Sequence, residues 1–431
     1  DKVYVDYRFV HDSLNSRFYW DANENVLLYT TASDIISAAA DSNSYSVTKQ
    51  TNDFGYPIVK ATSDSALIAL DYVKQYSNIT FKSYDDPARV VITSKWDEID
   101  SATVSKSTQV RVKGGIKSPI LKQVKKNDTL TILDSGDKWD KVATEDGIIG
   151  YIKSKAMSES KKTKLTNPDY EEETFTHIKK DKDICLAWNQ VTSRSANSKV
   201  AQVISSTKGI NVMSPTWFYL NDNNGNLADI ASKDYVSYCH SQGIEVWGLF
   251  SNFENTDVDA AYVLTHTSTR TTLINQIMSA AFNYELDGVN IDFENITEAA
   301  YGDSYIEFIR ELAIKCHNNG ISLSVDVTVP ASFNKFFNRS DMANFADYIV
   351  IMGYDEHYKG SDAGSVASIP WVTEGVEATL NEVPADQIIL GMPFYTRIWE
   401  LTPKEEDDAV TDTEDQSKYT VASQAYGMDA A

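Results

Sequence analysis

Three cysteines in 431 residues are too few, and odd in number, to frame a disulfide scaffold. Cys185, Cys239 and Cys316 fall in stretches expected to be strand or helix, where each reads as a small buried hydrophobe. Positive charge is scarce as well: 39 Lys and Arg against 62 Asp and Glu leave a net charge of −23. That sign argues against nucleic acid, which demands a basic surface, and against adsorption to anionic lipid. No export signal or membrane segment is present, and the chain opens on Asp rather than Met, as a form with its export segment removed would. No His, Cys or carboxylate spacing suggests zinc and no glycine-rich loop suggests a nucleotide, so no metal or cofactor is expected.

What is present is concentrated in residues 287–294, Asp-Gly-Val-Asn-Ile-Asp-Phe-Glu. In an extended strand, side chains alternate between faces. Asn290, Asp292 and Glu294 then share one face, while Val289, Ile291 and Phe293 share the other. Three polar groups aligned on a strand with an apolar reverse are costly to bury without a use. A strand that merely caps the next helix would account for Asp287 or Asn295 but not for this alignment. Neighbouring carboxylates also push each other's pKa values apart, which keeps one protonated as a general acid near neutral pH. Asp287 precedes the strand and reads as a structural turn residue.

Around this segment the chain alternates short apolar runs with amphipathic stretches. The expected strands are Ile184–Asn189, Ile210–Phe218, Ile244–Ser251, Gly288–Glu294, Ile321–Val327, Tyr348–Tyr354 and Ile388–Tyr395. Helices are expected at Thr271–Tyr284 and Tyr301–His317, with Gly209, Gly243 and Gly320 as C-caps. Such alternation marks a parallel sheet covered by helices, here a TIM-type α/β barrel, whose active sites lie at the C-terminal ends of the strands. Val421–Ala431 reads as the opening of a helix, so the eighth strand is expected to be missing from this chain. The acidic segment Thr402–Gln416 reads as a solvated loop.

The octapeptide resembles the DGxDxDxE signature of glycoside hydrolase family 18, the chitinases and related β-N-acetylglucosaminidases, with Asn290 in place of the middle Asp. The Asn variant is similar to the cell-wall branch of that family, including spore-cortex N-acetylglucosaminidases. Met352-Gly-Tyr354-Asp355 matches the family's Met-x-Tyr-Asp, and Gly391-Met-Pro-Phe-Tyr395-Thr-Arg397-Ile-Trp399 looks like the substrate rim of the wall enzymes. The resemblance implies a retaining, substrate-assisted hydrolysis. Glu294 would protonate the glycosidic oxygen and the substrate's acetamido oxygen would attack the anomeric carbon. Asp292 would orient the acetamido N–H, Tyr354 would bind its carbonyl, and Asp355 would bind the sugar, with Met352 beneath. Asn290, Asn252, Tyr395 and Arg397 join the expected substrate site. Trp188, Trp217 and Trp399 at strand ends either stack on sugar faces or pack as core. An Asn at 290 adds no charge beside Asp292, so a less coupled titration is expected.

Two modules precede the barrel. Residues 103–158 carry short β runs with Trp139 and Gly147-Ile-Ile-Gly-Tyr151, and resemble the bacterial Src-homology-3-like wall domains. That small all-β barrel either attaches to peptidoglycan or is a spacer. Residues 1–98 hold an α+β internal repeat: Val5–Val10 with Phe18–Leu28 echo Ala69–Val73 with Phe81–Ile92, each a short helix followed by a hairpin. This resembles the copper-amine-oxidase-N-like repeat domain in fold only; no copper-ligand cluster accompanies His11. A linker at 159–175 and the catalytic barrel at 176–431 complete the expected organisation. The expected partners are a polysaccharide, peptidoglycan or a chitin-like glycan, and the cell wall through the 103–158 domain. The expected setting is extracellular or wall-associated, in a Gram-positive-type bacterium. A chitinase or a non-catalytic, lectin-like glycan binder is the alternative; lectin-like members of the family typically lose the acid Glu, which is retained here at 294.

Overall fold

The computed structural model describes residues 2–294, 296, 299–404 and 416–427. The chain divides into two compact units, Asp1–Ser16 with Pro57–Glu173, and Arg17–Tyr56 with Thr174–Ala431.

In the first unit, Tyr4–Asp6 pairs antiparallel with Ala66–Ala69, and a helix at Leu70–Tyr76 leads into the hairpin Thr80–Asp85 and Ala88–Thr93. A seven-stranded antiparallel sheet follows, built largely from residues 98–153. Its core is Ala102, Val104, Val110, Val124, Leu130, Val142 and Ile152, the inward members of alternating strands. Part of the expected linker is strand: Lys161–Lys164 pairs with Glu98–Ser101 at the sheet edge.

The second unit is dominated by a parallel sheet. Its strands are β1 (Leu186–Asn189), β2 (Val212–Leu220), β3 (Glu245–Ser251), β4 (Gly288–Asp292), β5 (Ser322–Thr328), β6 (Tyr348–Met352) and β7 (Ile388–Gly391), paired in that order. Helices α1 (Val200–Ser205), α2 (Lys233–Ser241), α3 (Ala260–Thr265), α4 (Thr267–Tyr284), α5 (Ala299–His317), α6 (Arg339–Phe345) and α7 (Ile369–Leu380) intervene. Val289, Ile291, Leu323, Val325 and Ile349 lie in the core shared with Ile274, Ile277, Phe308 and Leu312 of the helices. Helix ends follow local chemistry: Ser368 Oγ accepts from Trp371 N at 3.4 Å to start α7, and Glu285 adopts φ 57° to end α4. Gly288 has no side chain because a Cβ there would sit 2.6 Å from the Trp247 indole.

The first expected hairpin does not stay with its repeat partner. Phe18–Asp21 and Val26–Thr30 begin a five-stranded meander, residues 18–53, that packs on α4 and α5. The reason is visible on α5, where Glu307, Arg310 and Glu311 are buried and must be paired. Thr30 Oγ1 donates to Glu307 Oε1 at 2.9 Å, and the Tyr19 hydroxyl meets Ser304 Oγ at 2.8 Å. Arg310 bridges Glu307 to Asp341, while Arg270 pairs with Glu311 at 2.8 Å beneath the Tyr19 ring. Asp21 Oδ2 accepts from the Thr267 N–H and hydroxyl at the start of α4.

Two further expectations are corrected. Residues 421–427 of the expected helix lie instead in a strand, Tyr419–Gly427, paired antiparallel with Tyr395–Pro403; residues 428–431 lie outside the described residues, as do 405–415 of the expected acidic loop and the candidate cap Asn295. Cys185 is exposed rather than buried, because it precedes β1 instead of lying within it; Cys239 and Cys316 are buried. Among the described residues no helix is long and apolar enough to cross a membrane.

Candidate active site

The site is assembled where β1, β2, β4 and β5 turn the same face inward. Asn290, fully buried on β4, is its hub. Its Oδ1 accepts from Trp188 Nε1 at 3.0 Å and from Ser214 Oγ at 2.9 Å, while its Nδ2 donates to Asp326 Oδ1 at 2.7 Å. Two residues on, Asp292 follows on the same face, as strand alternation requires. Burial raises its pKa to about 7, and the charges of Glu294 and Glu254 add to the rise. Glu294 lies at the exposed mouth, just past the end of β4. Its pKa is raised too, first by desolvation and then by Asp355 and Glu254. Asn252 holds its backbone: Asn252 Nδ2 donates to the Glu294 carbonyl and Asn252 Oδ1 accepts from the Glu294 N–H, both at 2.8 Å.

The opposite side of the mouth comes from the ends of β6 and β7. Met352 closes β6, and Tyr354 follows, edge-on to Trp188 at 6.2 Å and to Tyr395 at 6.1 Å. Burial and the charges of Asp326 and Asp292 hold the Tyr354 phenol in its protonated form. Asp355 adopts the left-handed region, φ 60°, and accepts from the Tyr395 hydroxyl at 2.6 Å and from Arg397 Nη2 at 3.0 Å. Gly391 leaves room for the Trp188 ring, since a Cβ there would come within 2.9 Å of Cη2. Trp399 sits on the hairpin strand, tied by Nε1 to the Gly364 carbonyl at 2.9 Å.

Trp217 is not part of this mouth. It is fully buried, donates to Asn197 Oδ1 at 2.8 Å and packs against Tyr235. Ser214 and Thr216 take the inward positions of β2, so Trp217 falls on the face that meets the helices. Asp326, Ser214 and Glu254 were not expected. The signal for Asp326 was present in the alternation Ser322, Ser324, Asp326, Thr328, the same pattern that singled out β4. Its presence also bears on the expectation of a less coupled titration: a second carboxyl faces Asn290 and lies within the field of Asp292. Asp287 is structural, its Oδ2 accepting from Val246 N at 2.8 Å and pairing with His240 at 2.7 Å. Among the described residues no group of three or more His, Cys, Asp or Glu is placed to hold a metal ion.

Comparison with known proteins now bears on this geometry. Residues 255–428, which include Asp292, Glu294, Tyr354 and Asp355, match the glycosyl hydrolases family 18. The chain carries a family 18 glycosyl hydrolase domain. Residues 106–158 match the bacterial SH3 domain. Against curated relatives, the chain is 23% identical over 241 residues to the uncharacterized glycosylase YvbX of Bacillus subtilis, covering 51% of this chain and 69% of that protein. It is 33% identical over 141 residues to YdhD of the same species, covering 32% and 33%. It is 25% identical over 187 residues to the cortical fragment-lytic enzyme of Bacillus subtilis, covering 41% and 43%. The chain thus spans about two thirds of the first relative and less than half of the other two. The family 18 domain makes the chain a glycoside hydrolase.

Proposed function

We propose that this glycoside hydrolase is a retaining, substrate-assisted β-N-acetylglucosaminidase that cleaves peptidoglycan. The observation that carries the reading is the pairing of Asp292 at the end of β4 with Glu294 just past it, one enclosed and one at the mouth, both with raised pKa values. A raised pKa keeps Glu294 protonated closer to neutral pH, as a general acid requires. Glu294 gives its proton to the glycosidic oxygen as the bond to the anomeric carbon breaks. The acetamido oxygen of the sugar on the non-reducing side attacks that carbon, and Asp292 accepts a hydrogen bond from the acetamido N–H. Tyr354, protonated and beside Trp188, donates to the acetamido carbonyl. Glu294, now ionised, takes a proton from water as that water attacks the anomeric carbon and breaks its bond to the acetamido oxygen, opening the oxazolinium ring with net retention. The seven parallel strands are those of a TIM-like barrel, and Asp355, Tyr395, Arg397 and Trp399 form the rim that holds the adjoining sugar.

Peptidoglycan is favoured by two features. Asn290 takes the motif position occupied by Asp in the wider pattern, and a bacterial SH3 domain precedes the barrel. The SH3 domain is assigned to wall contact, and the protein to the cell surface or exterior.

The test is mass spectrometry of products from purified peptidoglycan and from chitohexaose, for the wild type and Glu294→Gln. Fragments with reducing N-acetylglucosamine ends from peptidoglycan, absent with Glu294→Gln, support the proposal. Cleavage of chitohexaose alone moves the substrate to chitin. Binding of either glycan without products favours the lectin-like alternative.

A further inference from the structure

Asp326 is a buried acid for which the mechanism above has no use. It is 2% exposed, on β5, one register step from the pair Ile291–Val325 and therefore level with Asp292. Its environment determines which of its atoms do what. A Trp indole only donates, so Asn290 must present Oδ1 to Trp188 and Nδ2 to Asp326. Asp326 Oδ1 is thereby an acceptor, and any proton on the carboxyl resides on Oδ2. That oxygen is buried and makes no hydrogen bond among the described residues, as is also true of Asp292 Oδ1 and the Tyr305 hydroxyl.

We propose that Asp326 and Asn290 act as one amide–carboxyl unit that positions Trp188 and Asp292. Asp326 supplies on β5 the carboxyl that the matching motif carries at position 290. The proposal rests on the glycosidase reading of the same site. Asn290 spans four strands through Trp188, Ser214 and Asp326, so removing the acceptor at Asp326 frees the amide to turn. With it turns the indole that forms one wall beside Tyr354. The groups facing Asp326 are Asp292 and Asn290 on β4, Glu294 beyond them, Trp188 on β1, Tyr305 on α5 and Tyr354 after β6. Burial, then the Asp292 charge, raise its pKa well above the carboxylate range, against the pull of Asn290 and Trp188. A neutral Asp326 adds no second charge to the enclosed pair, which is how the site tolerates a relocated acid. Asp326 is therefore a positioning residue.

Four variants test this: Asp326→Ala, Asp326→Asn, Asn290→Asp, and the exchange Asn290→Asp with Asp326→Asn. Asp326→Ala is expected to lower kcat about tenfold or more with KM within about twofold, because a positioned hydrogen bond is lost. Asp326→Asn keeps an acceptor for the amide and mimics a neutral acid, so kcat stays within about threefold and both pH limbs stay in place. Asn290→Asp alone replaces the amide donor with a second carboxyl, so the two acids must share a proton or repel and about tenfold is lost, while the exchange restores most of that loss, since contacting partners couple. A kcat for Asp326→Ala equal to wild type, a limb moved to lower pH by Asp326→Asn, or an exchange no better than the product of its singles each overturns the proposal. If Asp326→Ala melts too low to assay, Asp326→Asn and the exchange decide. Infrared difference spectra of wild type against Asp326→Asn at pH 7 supply a readout apart from turnover: the carbonyl band of a protonated carboxyl is expected to vanish, and its absence from the wild type refutes the unit. An inert wild type that shows this band would sink the glycosidase reading while leaving the unit intact.

Discussion

Asn252→Ala tests how tightly Glu294, the proposed general acid, must be held. Asn252 clasps the backbone of Glu294 by two hydrogen bonds of 2.8 Å, one to the carbonyl and one from the N–H. Each is worth about 0.5–1.5 kcal/mol net, toward the lower end at a solvent-accessible mouth. Together they represent about 1–2 kcal/mol of constraint on the carboxyl proposed to protonate the leaving oxygen. If that constraint acts in the transition state, its loss lowers kcat about 5- to 30-fold, at 1.36 kcal/mol per decade. KM should change by less than about twofold, because the proton moves only during bond cleavage. Asn252→Asp separates geometry from charge. It keeps the acceptor for the Glu294 N–H, sets a charged oxygen against the Glu294 carbonyl, and adds a carboxylate beside the acid. The Glu294 pKa then rises further, moving the alkaline limb of kcat to higher pH. Steady-state kinetics on a chromogenic chito-oligosaccharide across pH measure all three quantities. A kcat within twofold of wild type for Asn252→Ala, or a loss carried wholly by KM, refutes the reasoning.

Further outcomes follow from burial and pairing. The Asp292 pKa, raised from 3.8 to about 7, means that the native state holds a proton the unfolded chain has released between those values. The stabilisation from this proton is therefore full below pH 4 and lost as pH rises through 7, by on the order of 4 kcal/mol. Asp292→Asn should raise the melting temperature more at pH 8 than at pH 4.5, and an equal change at both would contradict this. Thr30→Val leaves the fully buried Glu307 one hydrogen bond short, and denaturant unfolding should show a loss of about 1–3 kcal/mol. No loss would mean that the 18–53 meander does not stabilise α5. Trp217→Phe strands the buried Asn197 oxygen, at a cost of about 1–3 kcal/mol, yet leaves KM unchanged. A raised KM with unchanged stability would return Trp217 to the sugar site.

Much of the parallel sheet was legible because its strands are short apolar runs bounded by helix caps. Gly243 and Gly320 adopt positive φ, the conformation their positions at helix ends require, whereas Gly209 has positive φ but lies beyond the Ser206 cap of α1. The β4 face was legible for the same reason that Asp326 should have been: polar residues recur every second position. For Trp217, strand-end position left sugar stacking and core packing both open; strand parity decides for core, since Ser214 and Thr216 take the inward positions of β2. The fate of residues 18–53 could not be read locally. Their hairpin pattern is the same whether it pairs with its repeat or with a helix, and only the buried Glu307, Arg310 and Glu311 far along the chain decide for α5. Tyr419–Gly427 alternates weakly and borrows its strand state from Tyr395–Pro403, a partner that sequence periodicity does not reveal.

The central claim, acid catalysis by Glu294 with the substrate's acetamido group as nucleophile, is tested most directly by proton NMR of the first-formed product. With an N-acetylated chito-oligosaccharide, the account predicts a β-anomer that appears before mutarotation and is lost in Glu294→Gln. It also predicts no cleavage when the sugar on the non-reducing side of the bond is de-N-acetylated. An α-anomer as first product, or turnover of the de-N-acetylated substrate at the wild-type rate, would contradict it.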